Sequence, residues 1–256
     1  MTDRKKARAA TKICEFDSDR IMIRGRSLVD DIMGNYSFSE LLILQALGRE
    51  PTKLQSRVVD AVLVTIMEHG LVPSAVVARL TLSGAPDSFQ GAVAAGLLGV
   101  GDRYAGTAAE CGAMLERIVA APVAERPAAA REEVLACQQT HRPVPGFGHP
   151  IHHAKDPRVE RLLDIAKEAG AGGTFIDAME LLADSVRQEL AKPLVTNISA
   201  AIAAVLGEVD IPARMMRGIV LTARCGGLVG HVLEEMDTPI ADDMWLAATA
   251  AVKSPG

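Results

Sequence analysis

The segment Val144-Pro145-Gly146-Phe147-Gly148-His149-Pro150, followed by Asp156-Pro157-Arg158, is the part of this sequence best suited to chemistry. Proline biases the residue before it away from the α region. His149 is therefore expected on an extended, glycine-bounded loop, aimed by its backbone. Loops carried on a rigid scaffold are where binding chemistry concentrates, and an imidazole there can move a proton near neutral pH. Lys155 and Arg158 follow closely, and cations beside an imidazole suit an anionic group such as a phosphate. A solvated basic loop is the plainer reading of the same charges.

Two further residues stand out. His69 lies in Glu68-His69-Gly70-Leu71-Val72-Pro73-Ser74, where Gly70 can end one helix and Ser74 can open the next. A histidine in a last helical turn is commonly a simple cap, but at a break between helices it can also face a pocket. Arg224 interrupts Ile219-Val220-Leu221-Thr222-Ala223-Arg224-Cys225-Gly226-Gly227, a run otherwise apolar or small. A buried guanidinium without a partner is costly, so it must meet a carboxylate, either the protein's own or a ligand's.

Other patterns carry less. His149, His152 and His153 sit on one short segment, yet no carboxylate or cysteine cluster completes a ligand set, so no metal is expected. Gly99-Val100-Gly101-Asp102-Arg103-Tyr104-Ala105-Gly106 has the outline of a phosphate loop. It lacks the lysine and the preceding strand, and its glycines instead allow backbone to approach a ligand or a neighbouring helix.

The elements that must position these groups are helical. Apolar residues recur at helical spacing over Leu54–Glu68, Val72–Leu82, Ser88–Leu98, Ala105–Ala120, Ala128–Gln138, Val159–Ala169, Phe175–Leu190, Ser199–Leu206 and Pro212–Met236, and Ser37 or Ser39 can cap a helix through Leu47. No alternating Val/Ile/Thr-rich segment of strand length follows residue 30, and Ile21–Ser27 reads as a short strand or turn. The expected class is all-α. Residues 1–20 read as a polar arm, 21–121 with 206–256 as a large helical domain, and 122–205 as a small one.

Composition agrees. A 49% hydrophobic content with only 3% aromatic residues means a core of Ala, Val, Leu, Ile and Met, which lets helices pack closely. The net charge of −5 argues against nucleic acid or an acidic membrane as the main partner. Cys14, Cys111, Cys137 and Cys225 have no paired spacing and read as free thiols in a reducing compartment. Met1–Ala10 is basic and polar with no apolar run behind it, so neither signal peptide nor membrane span is expected and the cytoplasm is the expected location.

Taken in order, these pieces resemble the citrate synthase family, including the citryl-CoA lyase module of ATP-citrate lyase. Gly146–His149 with Asp156–Arg158 resembles its Gly-Phe-Gly-His-Arg…Asp-Pro-Arg loop, and Arg24–Ser27 its Arg-Gly-Tyr-Ser/Pro strand. Glu68-His69 is similar to the module's Asp-His, and Gly101–Gly106 to its Gly-Asp-Arg-Phe-Gly-Gly. Thr196–Ser199 stands where the family has Asn-Val-Asp, Ala223–Gly227 resembles its Ala-Arg-x-x-Gly helix, and Gly230-His231 the Gly/Ala-His pair that follows. The resemblance implies a two-domain helical fold, a homodimer or higher oligomer, and a coenzyme A thioester as substrate with no metal. It implies that His149 and His69 are catalytic and that Arg224 holds a substrate carboxylate, with Arg103 and Tyr104 beside the substrate. Arg158, Lys155, Gly146, Phe147 and Gly148 would contact the coenzyme.

Departures shape the expected reaction. Ser199 replaces the family's carboxylate base, Tyr104 the synthase histidine, and Pro150 an arginine; no arginine follows Arg224. A serine hydroxyl has no useful acid–base pKa without an activating partner. With fewer guanidinium forks, the site is expected to take a ligand with fewer negative charges than citrate. The leading expectation is an acyl-CoA carbon–carbon lyase of citryl-CoA lyase type acting by retro-aldol or aldol chemistry on a β-hydroxyacyl-CoA. His149 or His69 would take the alcohol proton, and loop backbone, the other histidine and Tyr104 would steady the enolate. The enolate's proton would come from water, from Ser199 as a catalytic residue relayed through a neighbour, or from a histidine. Citrate synthase activity is the alternative of the same class, and a non-catalytic acyl-CoA-binding subunit the alternative of another.

Overall fold

Helical periodicity becomes helix almost wherever the sequence carries it. The structure, a computed structural model, describes residues 10–102, 106–148, 156–190 and 194–252. Two units divide it, residues 1–56 and 57–256.

In the first unit, β1 (Cys14–Phe16), β2 (Ile21–Ile23) and β3 (Arg26–Ser27) form an antiparallel sheet in the order β1-β2-β3, with Glu15 opposite Met22 and Ile23 opposite Arg26. Arg24 and Gly25 both take positive φ, 51° and 81°, which is the tight turn that a two-residue hairpin needs. The Arg24 guanidinium then donates to the Gln45 carbonyl, 3.0 Å from Nε and 2.6 Å from Nη2, near the C-terminal end of α1 (Phe38–Leu47). Cations suit that end of a helix. Ser37 caps α1 in a reciprocal box with Glu40, and Gly48 closes it in the left-handed region. β1 lies within the segment expected to be a polar arm: its Phe16 side is exposed, so burial left no mark on the sequence there.

α2 (Lys53–Ile66) begins at the end of the first unit and runs into the second. The second unit continues with α3 (Pro73–Gly84), α4 (Phe89–Leu98), α5 (Thr107–Ala120), a 3₁₀ turn at Val123–Glu125, and α6 (Arg126–Gln139). After the loop come α7 (Pro157–Glu168), α8 (Thr174–Glu189), α9 (Ile198–Glu208), α10 (Ala213–Asp237) and α11 (Ala241–Ala251). Among the described residues no strand follows Ser27; one isolated bridge pairs Phe147 with Thr196. Among the described residues no helix is long and apolar enough to cross a membrane.

α9 is the centre of this unit. Its residues Ala200 to Leu206 are fully buried, and α5, α7, α8 and α10 pack around it. A helix apolar on every side must be enclosed, and small side chains let the enclosing helices come close. Gly96 does the same where α4 meets α3 and α10, since a methyl there would lie 2.9 Å from Leu228 and 3.0 Å from Ala78. α11 has no counterpart in the sequence reading: its faces are mostly exposed, so its apolar spacing is weak.

Candidate active site

A cleft of about 1020 Å³ opens in the second unit, bounded by the α2–α3 junction, the start of α5, the 142–148 loop, α7, the start of α9 and the middle of α10. Its wall includes His69, Arg158, Ser199, Arg224 and the loop Gly146-Phe147-Gly148, so residues widely separated in sequence face one space. His149, Lys155, Arg103 and Tyr104 lie outside the described residues, as do Pro150, His152 and His153. No group of three or more metal-ligating side chains occurs among the described residues.

The loop is seated by its glycines and by Asn197. Gly146 (φ 89°) has no room for a side chain: a methyl there would lie 2.8 Å from Ala200 Cβ and 3.0 Å from Cys111 Sγ. Gly148 (φ 82°) donates its N–H to the Val195 carbonyl at 2.8 Å. Asn197 then clasps the loop from the α9 side. Its N–H donates to the Gly146 carbonyl at 2.9 Å and its Nδ2 to the Gly148 carbonyl at 2.8 Å, while Oδ1 accepts from Ser199 N–H as the helix cap. The chain therefore leaves Gly148 toward position 149 from a fixed platform. At the far side of the loop, Asp156 caps α7 and grips Arg158 with both oxygens, at 2.9 and 2.8 Å.

The α2–α3 junction is held by a polar chain that runs from the exposed Glu68 to the buried Arg79. Glu68 Oε1 accepts from the N–H of His69 (2.7 Å) and of Gly70 (2.6 Å), and lies 3.1 Å from His231 Nε2. On its other side, His231 Nδ1 lies 3.0 Å from Arg79 Nε. An arginine nitrogen can only donate, so Nδ1 accepts and the ring proton sits on Nε2, directed at Glu68. Arg79 is itself fully buried and ion-paired with Glu235, at 2.8 Å, and with Glu234. Burial alone would raise the pKa of Glu68. Hydrogen bonds from His69 N–H, His231 and Gly70 N–H together hold it below the ordinary carboxylate value.

Arg224 lines the cleft. Among the described residues it makes no ion pair and no hydrogen bond. Burial lowers its pKa, Glu68 works against that, and Arg158 adds to it. A half-buried guanidinium with only distant compensation faces the cleft, near a second guanidinium on Arg158. That is an anion site in chemical character.

The Ser199 Oγ is 2.9 Å from Thr107 Oγ1, hydroxyl against hydroxyl. The sequence reading missed Arg142, Glu110, Asp102, Thr107 and Asn197, all of which line the cleft. Asn197 could have been found as a cap residue ahead of an apolar run; Arg142 and Glu110 carry no local signal. Two of the thiols are buried and held protonated: burial pushes Cys111 up to about 12 and also raises Cys137.

Comparison with known proteins now bears on this geometry. A solved citryl-CoA lyase from Hydrogenobacter thermophilus superposes with a TM-score of 0.83 and 31% identity, covering 97% of this chain and 94% of that one. ATP citrate lyase from Methanosaeta concilii shares the fold, with a TM-score of 0.77 at 19% identity over 99% of this chain and 43% of its own. "Putative citrate synthase 2" of Mycobacterium tuberculosis (strain ATCC 25618 / H37Rv) is 30% identical over 194 residues, 73% of this chain. The chain spans about half the length of the curated relatives it matches. The family model described as "Citrate synthase, C-terminal domain" matches residues 34–241, and the chain belongs to that family.

Proposed function

We propose that this protein is an acyl-CoA carbon–carbon lyase of citryl-CoA lyase type, cleaving a β-hydroxyacyl-CoA by retro-aldol chemistry. The observation that carries this is Arg224: a half-buried guanidinium without an ion-pair partner among the described residues, facing a cleft that also holds His69. A carboxylate-bearing substrate would satisfy Arg224, and an imidazole within the same space can take the alcohol proton as the carbon–carbon bond breaks. The likeness to the Hydrogenobacter thermophilus lyase over nearly the whole of both chains supports the same class. The cleft volume suits a bulky thioester, at the upper end of small-molecule sites. We assign His149 to the substrate oxygen, His69 to the same pocket, and the 146–148 backbone with Arg158 and Lys155 to the coenzyme. Arg103 and Tyr104 fall beside the substrate in this reading, and Ser199 serves to shape the cleft floor.

The reading also includes residues 122–205 as the smaller helical part of the second unit, a homodimer, and a cytoplasmic setting. Sedimentation at micromolar concentration tests the dimer; a monomer would remove it.

The decisive test is incubation with (3S)-citryl-CoA and a panel of β-hydroxyacyl thioesters, with mass spectrometry of the products. Cleavage to a shorter acyl-CoA and a carbonyl fragment is expected. Arg224→Ala should lower kcat/KM by roughly 30-fold or more, from the 2–5 kcal/mol that a buried charge contact is worth. Arg224→Lys should not restore it, because an ammonium lacks the planar fork. Tight thioester binding with no cleavage of any panel member would overturn the lyase reading.

A further inference from the structure

Cleaving a carbon–carbon bond beside a thioester leaves an enolate whose α-carbon must gain a proton, and in the reverse direction a group must remove one. We propose that Glu110 is that acid–base group, an assignment that rests on the lyase reading above.

With His69 assigned above to the substrate, the cleft wall leaves few other proton carriers among the described residues. Arg142, Arg158 and Arg224 remain protonated and cannot serve. The Ser199 hydroxyl is engaged with Thr107, at 2.9 Å. Asp102 is ion-paired with Arg217. Glu110 makes no ion pair or hydrogen bond among the described residues, and it is exposed to the cleft. Its direction is favourable as well. Side chains on a helix lean toward its N-terminus, and Glu110 follows the rule: a methyl built on Gly106 would lie 3.9 Å from Glu110 Oε1. The carboxylate is thus drawn back to the first turn of α5, the turn that carries Thr107 and, through it, touches Ser199. Glu110, Thr107 and Ser199 all line the cleft.

The proton account closes without any outside reagent. An imidazole takes the hydroxyl proton of the substrate, the carbon–carbon bond breaks, a carbonyl forms on one fragment, and the electron pair enters the thioester enolate. The imidazolium passes that proton to the Glu110 carboxylate, and the resulting carboxyl proton forms the new bond to the α-carbon as the thioester carbonyl is restored. Imidazole and carboxylate both recover their starting state.

The test compares Glu110→Gln with the unaltered protein in two assays: cleavage of (3S)-citryl-CoA, and exchange of acetyl-CoA methyl protons into D₂O. Glutamine keeps shape and polarity, and Glu110 holds no partner, so an unchanged Tm is expected. A fall of about 100-fold or more in kcat with KM within about threefold, matched by loss of exchange, is the expected result. Turnover and exchange within about threefold of the unaltered protein would overturn the assignment while leaving the lyase reading intact. A rise in KM alone would overturn it too, by making Glu110 a binding residue. If the unaltered protein neither cleaves nor exchanges, the lyase reading falls and the assignment falls with it.

Discussion

Gly227→Ala is the substitution by which the seating of the His69 segment can be read most directly. α10 lies against the α2–α3 junction at this residue: an added methyl would sit 2.1 Å from the Met67 carbonyl oxygen, 3.1 Å from Met67 C and 3.1 Å from Glu68 Oε2. Real Cβ atoms stay at 3.0 Å or beyond, and two of these three atoms are backbone, so no rotamer change can relieve the clash. Helix and junction must separate by about 1 Å, and forcing a close-packed contact apart costs about 1–3 kcal/mol. Alanine is also the better helix former by about 1 kcal/mol, so the net loss should be about 0–2 kcal/mol. Gly218→Ala, on the same helix with nothing within 4 Å of its would-be methyl, isolates the propensity gain and should stabilise by up to about 1 kcal/mol. The difference between the two variants, about 1–3 kcal/mol, corresponds to several degrees in Tm by calorimetry. Activity should respond more sharply, since a 1 Å misplacement of a reacting group can cost about 100-fold. Equal Tm and equal turnover in the two variants would refute the claim that α10 positions His69.

The remaining predictions concern the same supports. Asn197→Ala removes the cap of α9 and the clasp on Gly148 and should cost about 1–2 kcal/mol in urea unfolding, with weaker thioester binding by calorimetric titration. Folding lowers the pKa of Glu68, so its carboxylate stabilises the fold above its unfolded value of 4.5, and this contribution fades as pH falls through the lower folded value. The stability gap between the unaltered protein and Glu68→Gln should therefore be full near neutrality and shrink as pH falls below 4.5; a gap independent of pH would contradict the hydrogen-bond scheme at the junction.

What the sequence disclosed follows from where burial is one-sided. Val58, Val59 and Val62 in α2, and the alternation of buried and exposed positions in α7 and α8, repeat at helical spacing because each helix keeps one face wet. α11 and β1 escaped notice because neither buries a continuous face. The site was legible where one residue type conflicts with its surroundings: Arg224 in an apolar run, His69 at a helix break, glycines at 146 and 148 where the backbone needs positive φ. It was not legible where a residue acts by reaching across space. Arg142 looks like any exposed residue at the end of α6, yet it lines the cleft with Arg158 and Arg224.

That third guanidinium changes the charge argument. Counting only positions known from a motif, the loss of the arginine at 150 leaves a site short of positive charge. Counting by position in space, three guanidinium groups line one cleft, and their neutralisation differs. Among the described residues, the Arg158 guanidinium is bound on both arms by Asp156, that of Arg142 has one hydrogen bond, 3.2 Å to Thr140 Oγ1, and that of Arg224 has none. Among the described residues the less neutralised positive charge therefore lies on Arg142 and Arg224, on different elements of the wall. For the reaction proposed above, a ligand with anionic groups at two places would meet both guanidinium groups.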